Sequence, residues 1–343
     1  MNAYALCVLH ITSECNLRCK HCYASAGKKR SDEMTLEEIR SVIDQLNDMG
    51  VNYVTVSGGE PMMHEHFFEI LDYISKKNMN TMVTTNGTLL NDETVRRMKV
   101  LGVDSVQVSI DSPDAATHDS FRGLAGAFQR SVDGIKLCKK HGLKVSVMST
   151  LSEINKDSIA NLLDFEYSLS PDGIAIERFV PEGRGVGRQE LGVSSADLRR
   201  CLELLDEYSV KYSDCKFSTN DPLAIFVGSK NRYALDAVNE GLPLCGGCSI
   251  GRMAFGITPV GEIVLCTRLY HTVGSIRDAS IKDVLSSSEL VNQLCDRSNL
   301  KGRCGKCRYK CICGGCRGWA YGTTGDYFES DNLCWLSDEE IGI

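Results

Sequence analysis

Between residues 4 and 180, short β-branched or apolar runs alternate six times with helix-forming segments, and this alternation constrains the fold more than any other feature. The runs are Ala5–Ile11, Tyr53–Ser57, Thr81–Thr84, Ser105–Ile110, Lys144–Ser149 and Gly173–Phe179. Repeated strand-helix alternation implies a parallel sheet with right-handed crossovers. Helix starts support the count: Thr35 and Glu38 make a capping box, and Asn91 and Ser194 suit N-caps. Six units fall short of the eight that close a barrel. The expected fold is therefore α/β, a partial (β/α)6 TIM-like barrel whose open side admits a large substrate.

At 343 residues the chain has room for a large domain and a smaller one, and 43% hydrophobic with 24% charged residues suits a globular protein. A net charge of -7 disfavours nucleic acid as a partner. Met1–Ile11 carries no basic leader or small-residue cleavage site, and no run approaches 18 apolar residues. A cytoplasmic location without a membrane partner is expected. The seventeen Cys, an odd number in a long chain, then point to metal ligation rather than disulfides. Ten of them lie from Cys245 to Cys334, where hydrophobic runs are sparse, so this segment is expected to need metal to fold. The organisation read from the sequence is a barrel over 1–185, a bridging region over 186–240 with helical sequence at Ala196–Val210, and a Cys-rich iron-sulfur domain over 241–343.

Directly after the first strand come Cys15, Cys19 and Cys22, in a C-x3-C-x2-C loop at the strand's C-terminal end, where barrel enzymes carry their chemistry. Three thiolates on a tight loop can hold three irons of a 4Fe-4S cube and leave the fourth open. The same Cys with His10 or His21 would also make a Cys3His zinc site. With Tyr23 following the last Cys, the spacing resembles the radical S-adenosylmethionine (SAM) superfamily. That resemblance implies a cluster whose open iron chelates SAM and cleaves it to a 5'-deoxyadenosyl radical. Gly58, Gly59 and Glu60, after the second strand, are similar to the family's GGE motif, which holds the methionine amine. Asn86, Ser109 and Asp111, at the ends of strands three and four, match places that bind ribose and carboxylate in the family, and turn formation or capping is the alternative for Asn86 and Asp111. Arg122 could pair with the cofactor carboxylate or be a solvated surface residue.

Cys248-x12-Gly261-x4-Cys266, with a hairpin turn at Pro259–Glu262, is followed by Cys304-x2-Cys307-x5-Cys313-x2-Cys316 and by Cys334. The order resembles the SPASM extension of radical SAM enzymes, which implies two auxiliary 4Fe-4S clusters. The family's last gap is x3 rather than x2, and Cys311 is additional. By that analogy Cys248, Cys266 and Cys316, with Cys245 as a possible fourth ligand, belong to one cluster, and Cys304, Cys307, Cys313 and Cys334 to the other. Structural zinc ribbons are the alternative.

A radical SAM oxidoreductase follows from the resemblance, with a low-potential donor such as flavodoxin or ferredoxin as electron source. The leading substrate expectation is a ribosomal peptide or protein. No peptide-recognition domain precedes Cys15, so leader binding would need a separate recognition protein. The second expectation is a tetrapyrrole in haem or haem d1 synthesis, since Phe179–Gly185 and Cys313–Arg317 resemble those enzymes too. The third is a non-catalytic iron-sulfur carrier or a zinc-stabilised interaction protein. Arg178, Arg184 and Arg188, near the end of strand six, are expected to hold substrate carboxylates.

Overall fold

The computed structural model describes residues 4–228, 231–242, 244 and 246–343. Six strands form where the β-branched runs predict them: β1 (Leu6–His10), β2 (Tyr53–Ser57), β3 (Asn80–Thr85), β4 (Ser105–Ser109), β5 (Lys144–Leu151) and β6 (Gly173–Arg178). Each pairs in parallel with the next. The helices that follow the strands start as expected, with a capping box at Thr35 and N-caps at Asn91 and, after β6, at Ser194.

The sheet is longer than six strands. β7 (Lys216–Ser218) adds to β6, and β8 (Ala254–Ile257) lies parallel to β1. β9 (Glu262–Cys266) and β10 (Leu269–Ser275) continue antiparallel from β8, giving the order β10-β9-β8-β1-β2-β3-β4-β5-β6-β7. The Pro259–Glu262 turn is the β8–β9 hairpin, as its sequence predicts, with Gly261 at φ +82°.

Curvature follows from two side chains. Arg268, in the β9–β10 turn, lies 3.1 Å from Glu177 on β6. Flat, the seven strand spacings between β9 and β6 would separate these residues by about 34 Å. The sheet therefore curls into a partial barrel, with β7 and β10 flanking the open side. Val54, Val56, Val83, Val106, Val108, Val145 and Val147 belong to the apolar core on one face. The alternate positions, among them Ser57, Thr84, Gln107, Ser109, Thr150 and Glu177, make the other face polar, and Thr84 donates to Ser57 Oγ at 2.8 Å. A chemical site belongs on that polar face. Among the described residues no helix is long and apolar enough to cross a membrane.

Candidate functional site

Cys15, Cys19 and Cys22 share one small cluster with Leu17 and Ala127, walled from the main core. Their loop is fastened by backbone from three sides. Gly59 donates to Thr12 O at 2.7 Å and Glu60 to Glu14 O at 2.8 Å, while Arg18 and Lys20 donate to the carbonyls of Arg122 and Phe121. Gly59 has to be glycine, because a Cβ there would lie 2.1 Å from the Glu14 carbonyl oxygen. The third side is the Pro181–Arg188 loop. Gly183, at φ +57°, lies where a Cβ would meet Tyr23 O at 2.2 Å, and Arg184 donates to Cys22 O through its backbone and to Cys19 O and Ala26 O through its guanidinium.

Burial pushes the Cys15 thiol up to about 11 and raises Cys19, and neighbouring thiolates raise both further, Cys19 and Cys22 acting on Cys15 and Cys22 on Cys19. Such thiols become ligands when metal replaces their protons. Among the described residues no three His, Cys, Asp or Glu side chains close around a single ion. A cubane asks instead for three thiols around a shared hollow, one per iron, and the Cys15–Cys22 loop offers that donor set. No disulfide joins any of the sixteen described cysteines.

Glu60 is fully buried and accepts from the Thr85 hydroxyl at 2.8 and 2.9 Å and from Asn86 N at 2.9 Å. Burial pushes its carboxyl up to about 7 despite those bonds. Asn86 bridges to the Cys loop, donating to Asn16 Oδ1 at 2.9 Å, with Nδ2 4.0 Å from Cys15 Sγ. Ser109 ends β4 on the polar face. Asp111 and Arg122, read separately from the sequence, are one buried ion pair at 2.6 Å. Arg122 is thus no solvated surface residue; its Nη1 lies 3.9 Å from Cys19 Sγ, and its charge lowers the Asp111 pKa against the burial that raises it.

The C-terminal thiols gather in two groups. The charge of Cys248 acts on both Cys266 and Cys316. Cys304, Cys307, Cys313 and Cys334 line one small cavity with Gly314 and Gly315. The two sets are the described members of the two groups expected from the sequence. Cys245 lies outside the described residues. Asp331 ties the groups together, accepting from Cys316 N at 2.8 Å while its own N–H meets Cys304 Sγ at 3.4 Å. Tyr23 stands between the two ends of the site, its hydroxyl feeling the charges of both Cys22 and Cys266.

The arginines expected to face substrate do other work. Arg178 is buried against Asp221 and Asp331, with Nη1 2.9 Å from Asp331. Arg184 fastens the Cys loop, and Arg188 is exposed. Arg268 is the basic side chain that the sequence reading missed.

Residues 9–165 match the family model described as the radical SAM superfamily, and 248–316 the iron-sulfur cluster-binding SPASM domain. AdoMet-dependent heme synthase of Methanosarcina barkeri is 32% identical over 97% of both chains, and that of Nitratidesulfovibrio vulgaris is 30% identical over 94% of this chain and 90% of its own. AlbA, the subtilosin biosynthesis protein of Bacillus subtilis, is 27% identical over 96% of this chain and 71% of its own. The fold matches SuiB of Streptococcus suis with a TM-score of 0.77 at 20% identity, covering 98% of this chain and 78% of that one.

Proposed function

The chain belongs to the radical SAM superfamily and carries its SPASM extension, and from that premise we propose that it oxidatively decarboxylates propionate side chains of an iron tetrapyrrole. The observation that carries this reading is similarity along the whole of both chains to AdoMet-dependent heme synthases. It reverses the order expected from the cysteine pattern, which put a peptide first.

In this reading Cys15, Cys19 and Cys22 hold the SAM-binding cluster, and Glu60, Asn86, Ser109, Asp111 and Arg122 surround the cofactor. Cys248, Cys266 and Cys316 hold one auxiliary cluster, and Cys304, Cys307, Cys313 and Cys334 the other. When bound, the clusters and SAM supply a carbon radical that takes a hydrogen atom and a store for one leftover electron. The balance per propionate closes: -CH2-CH2-COO⁻ gives -CH=CH2, carbon dioxide, one hydrogen atom and one electron. The protein orients the side chain and keeps water away. A cytoplasmic flavodoxin or ferredoxin would supply the priming electrons.

Peptide maturation is the second reading, favoured by the similarity to AlbA. Anaerobic incubation with reductant, SAM and each candidate, followed by mass spectrometry, decides between them. The proposal expects iron coproporphyrin III to lose carbon dioxide with matching 5'-deoxyadenosine. A precursor peptide that loses two hydrogens, beside an unchanged porphyrin, would overturn it.

A further inference from the structure

With Arg178 and Arg184 committed to the fold and Arg188 on an exposed loop, Arg268 is a basic group near the open side whose Nη1 completes no hydrogen bond with a described residue. It stands two residues after Cys266 and reaches Glu177 across the gap in the sheet. That contact is skewed. Nη1 and Oε2 lie 3.1 Å apart, yet neither completes a hydrogen bond there, and the Arg268 guanidinium donates to no described residue. Glu177 is held from its other oxygen, which accepts from Asn220 N at 2.8 Å. The Arg268 side chain is 23% exposed, whereas Arg178 is 1% exposed and bonds both its carboxylates in full. Arg268 also feels the charges of Cys266 and Cys316, and the Tyr23 hydroxyl feels that of Arg268. A group bound to it would lie beside Cys266, on the polar face of the sheet that carries Glu177.

We propose that Arg268 is the substrate-carboxylate anchor, its planar fork taking a propionate of the tetrapyrrole while Glu177 keeps the guanidinium aimed across the open side. The inference rests on the tetrapyrrole reading and adds to it the residue that recognises the reacting side chain. A guanidinium suits the task because it meets a carboxylate with two parallel hydrogen bonds and stays charged. Glu177 competes for the same fork, so the site is poised rather than satisfied. Removing its charge should favour the substrate.

The test uses anaerobically reconstituted holoenzyme titrated with iron coproporphyrin III and followed by absorbance, with SAM affinity and iron content measured alongside. R268Q should bind the porphyrin about 10- to 150-fold more weakly, the loss of a charge-assisted hydrogen bond. R268K should fall between R268Q and the unaltered enzyme. E177Q should bind several-fold more tightly. SAM affinity should stay constant in all three. If R268Q keeps its iron and binds porphyrin like the unaltered enzyme, the pair is a strut and the proposal fails while the tetrapyrrole reading stands. If R268Q loses iron, E177Q decides, and unchanged porphyrin affinity there overturns the proposal. A holoenzyme that binds no porphyrin at all sinks both.

Discussion

The two cysteine-bearing regions differ in how far their thiols shape the chain. In the Cys15–Cys22 loop the shape is imposed from outside, by main-chain bonds to the segments around Gly59, Arg122 and Arg184, and the thiols come along with it. In the C-terminal array the thiols take a larger part, whereas in the first loop Cys15 accepts a single N–H, from Leu17 at 3.4 Å. Cys304, Cys307, Cys313 and Cys316 each accept a backbone N–H, from Asp331, Tyr309, Gly315 and Trp319, and helices there are as short as Gly302–Lys306. A loop gripped by its surroundings can be shaped before metal arrives. A segment whose acceptors are its own ligands folds with its metal.

Iron removal should therefore separate the two regions, and this is the largest effect expected. Chelation followed by hydrogen exchange should speed amide exchange over residues 300–335 by at least about a hundredfold, while β1 to β6 keep their protection. Replacing Cys15, Cys19 and Cys22 together by Ala should remove about one third of roughly 12 irons, as one cubane of three, and leave both patterns intact. Equal loss of protection in barrel and array would erase the distinction.

Arg178 is one place where the regions join, since it links β6 to Asp331, which in turn holds Cys316 and Cys304. Arg178→Met leaves the buried carboxylates of Asp221 and Asp331 without their cation. The expected cost is about 3–5 kcal/mol, read from denaturant unfolding of the holoenzyme. Array cysteines should become reactive to thiol reagents before those of the barrel. A loss below about 1 kcal/mol would mean that the array does not lean on the barrel through this residue.

The same contrast explains what the sequence made legible. Strands β1 to β6 were readable because each is a local run of β-branched or apolar residues, and Tyr53–Ser57 matches its predicted bounds. β7 has three residues, Lys-Phe-Ser, and its pairing with β6 is a tertiary choice that no periodicity records. The metal-ligand candidates were readable because spacing along the chain is chemistry for a tight loop. Arginine roles were not, because an arginine declares its charge but not its partner. Arg178 and Arg184 looked free beside a glycine-rich loop and are spent on Asp331 and the Cys loop. Arg268 lay within two residues of Cys266 with no pattern to single it out.

The smallest effect expected tests whether Glu60, in the segment that grips the Cys15–Cys22 loop, acts as a charge or as a brace. Glu60 accepts from Thr85 and Asn86, so it braces the loop that reaches Cys15. In the proposed function it also meets the SAM ammonium. Glu60→Gln keeps the size and an acceptor oxygen but removes the charge, whereas Glu60→Ala removes both. If the charge matters, both variants weaken SAM binding by about 10- to 150-fold, at unchanged iron content. If only the brace matters, Glu60→Gln binds like the unaltered protein. pH supplies an independent check. Burial raises the Glu60 carboxyl to about 7, so without ligand it is mostly protonated at pH 6 and ionised at pH 8. An ammonium that needs the ionised form should then bind about tenfold more weakly at pH 6 than at pH 8. Glu60→Gln should flatten that dependence, and an unchanged pH profile in the variant would assign Glu60 to the brace.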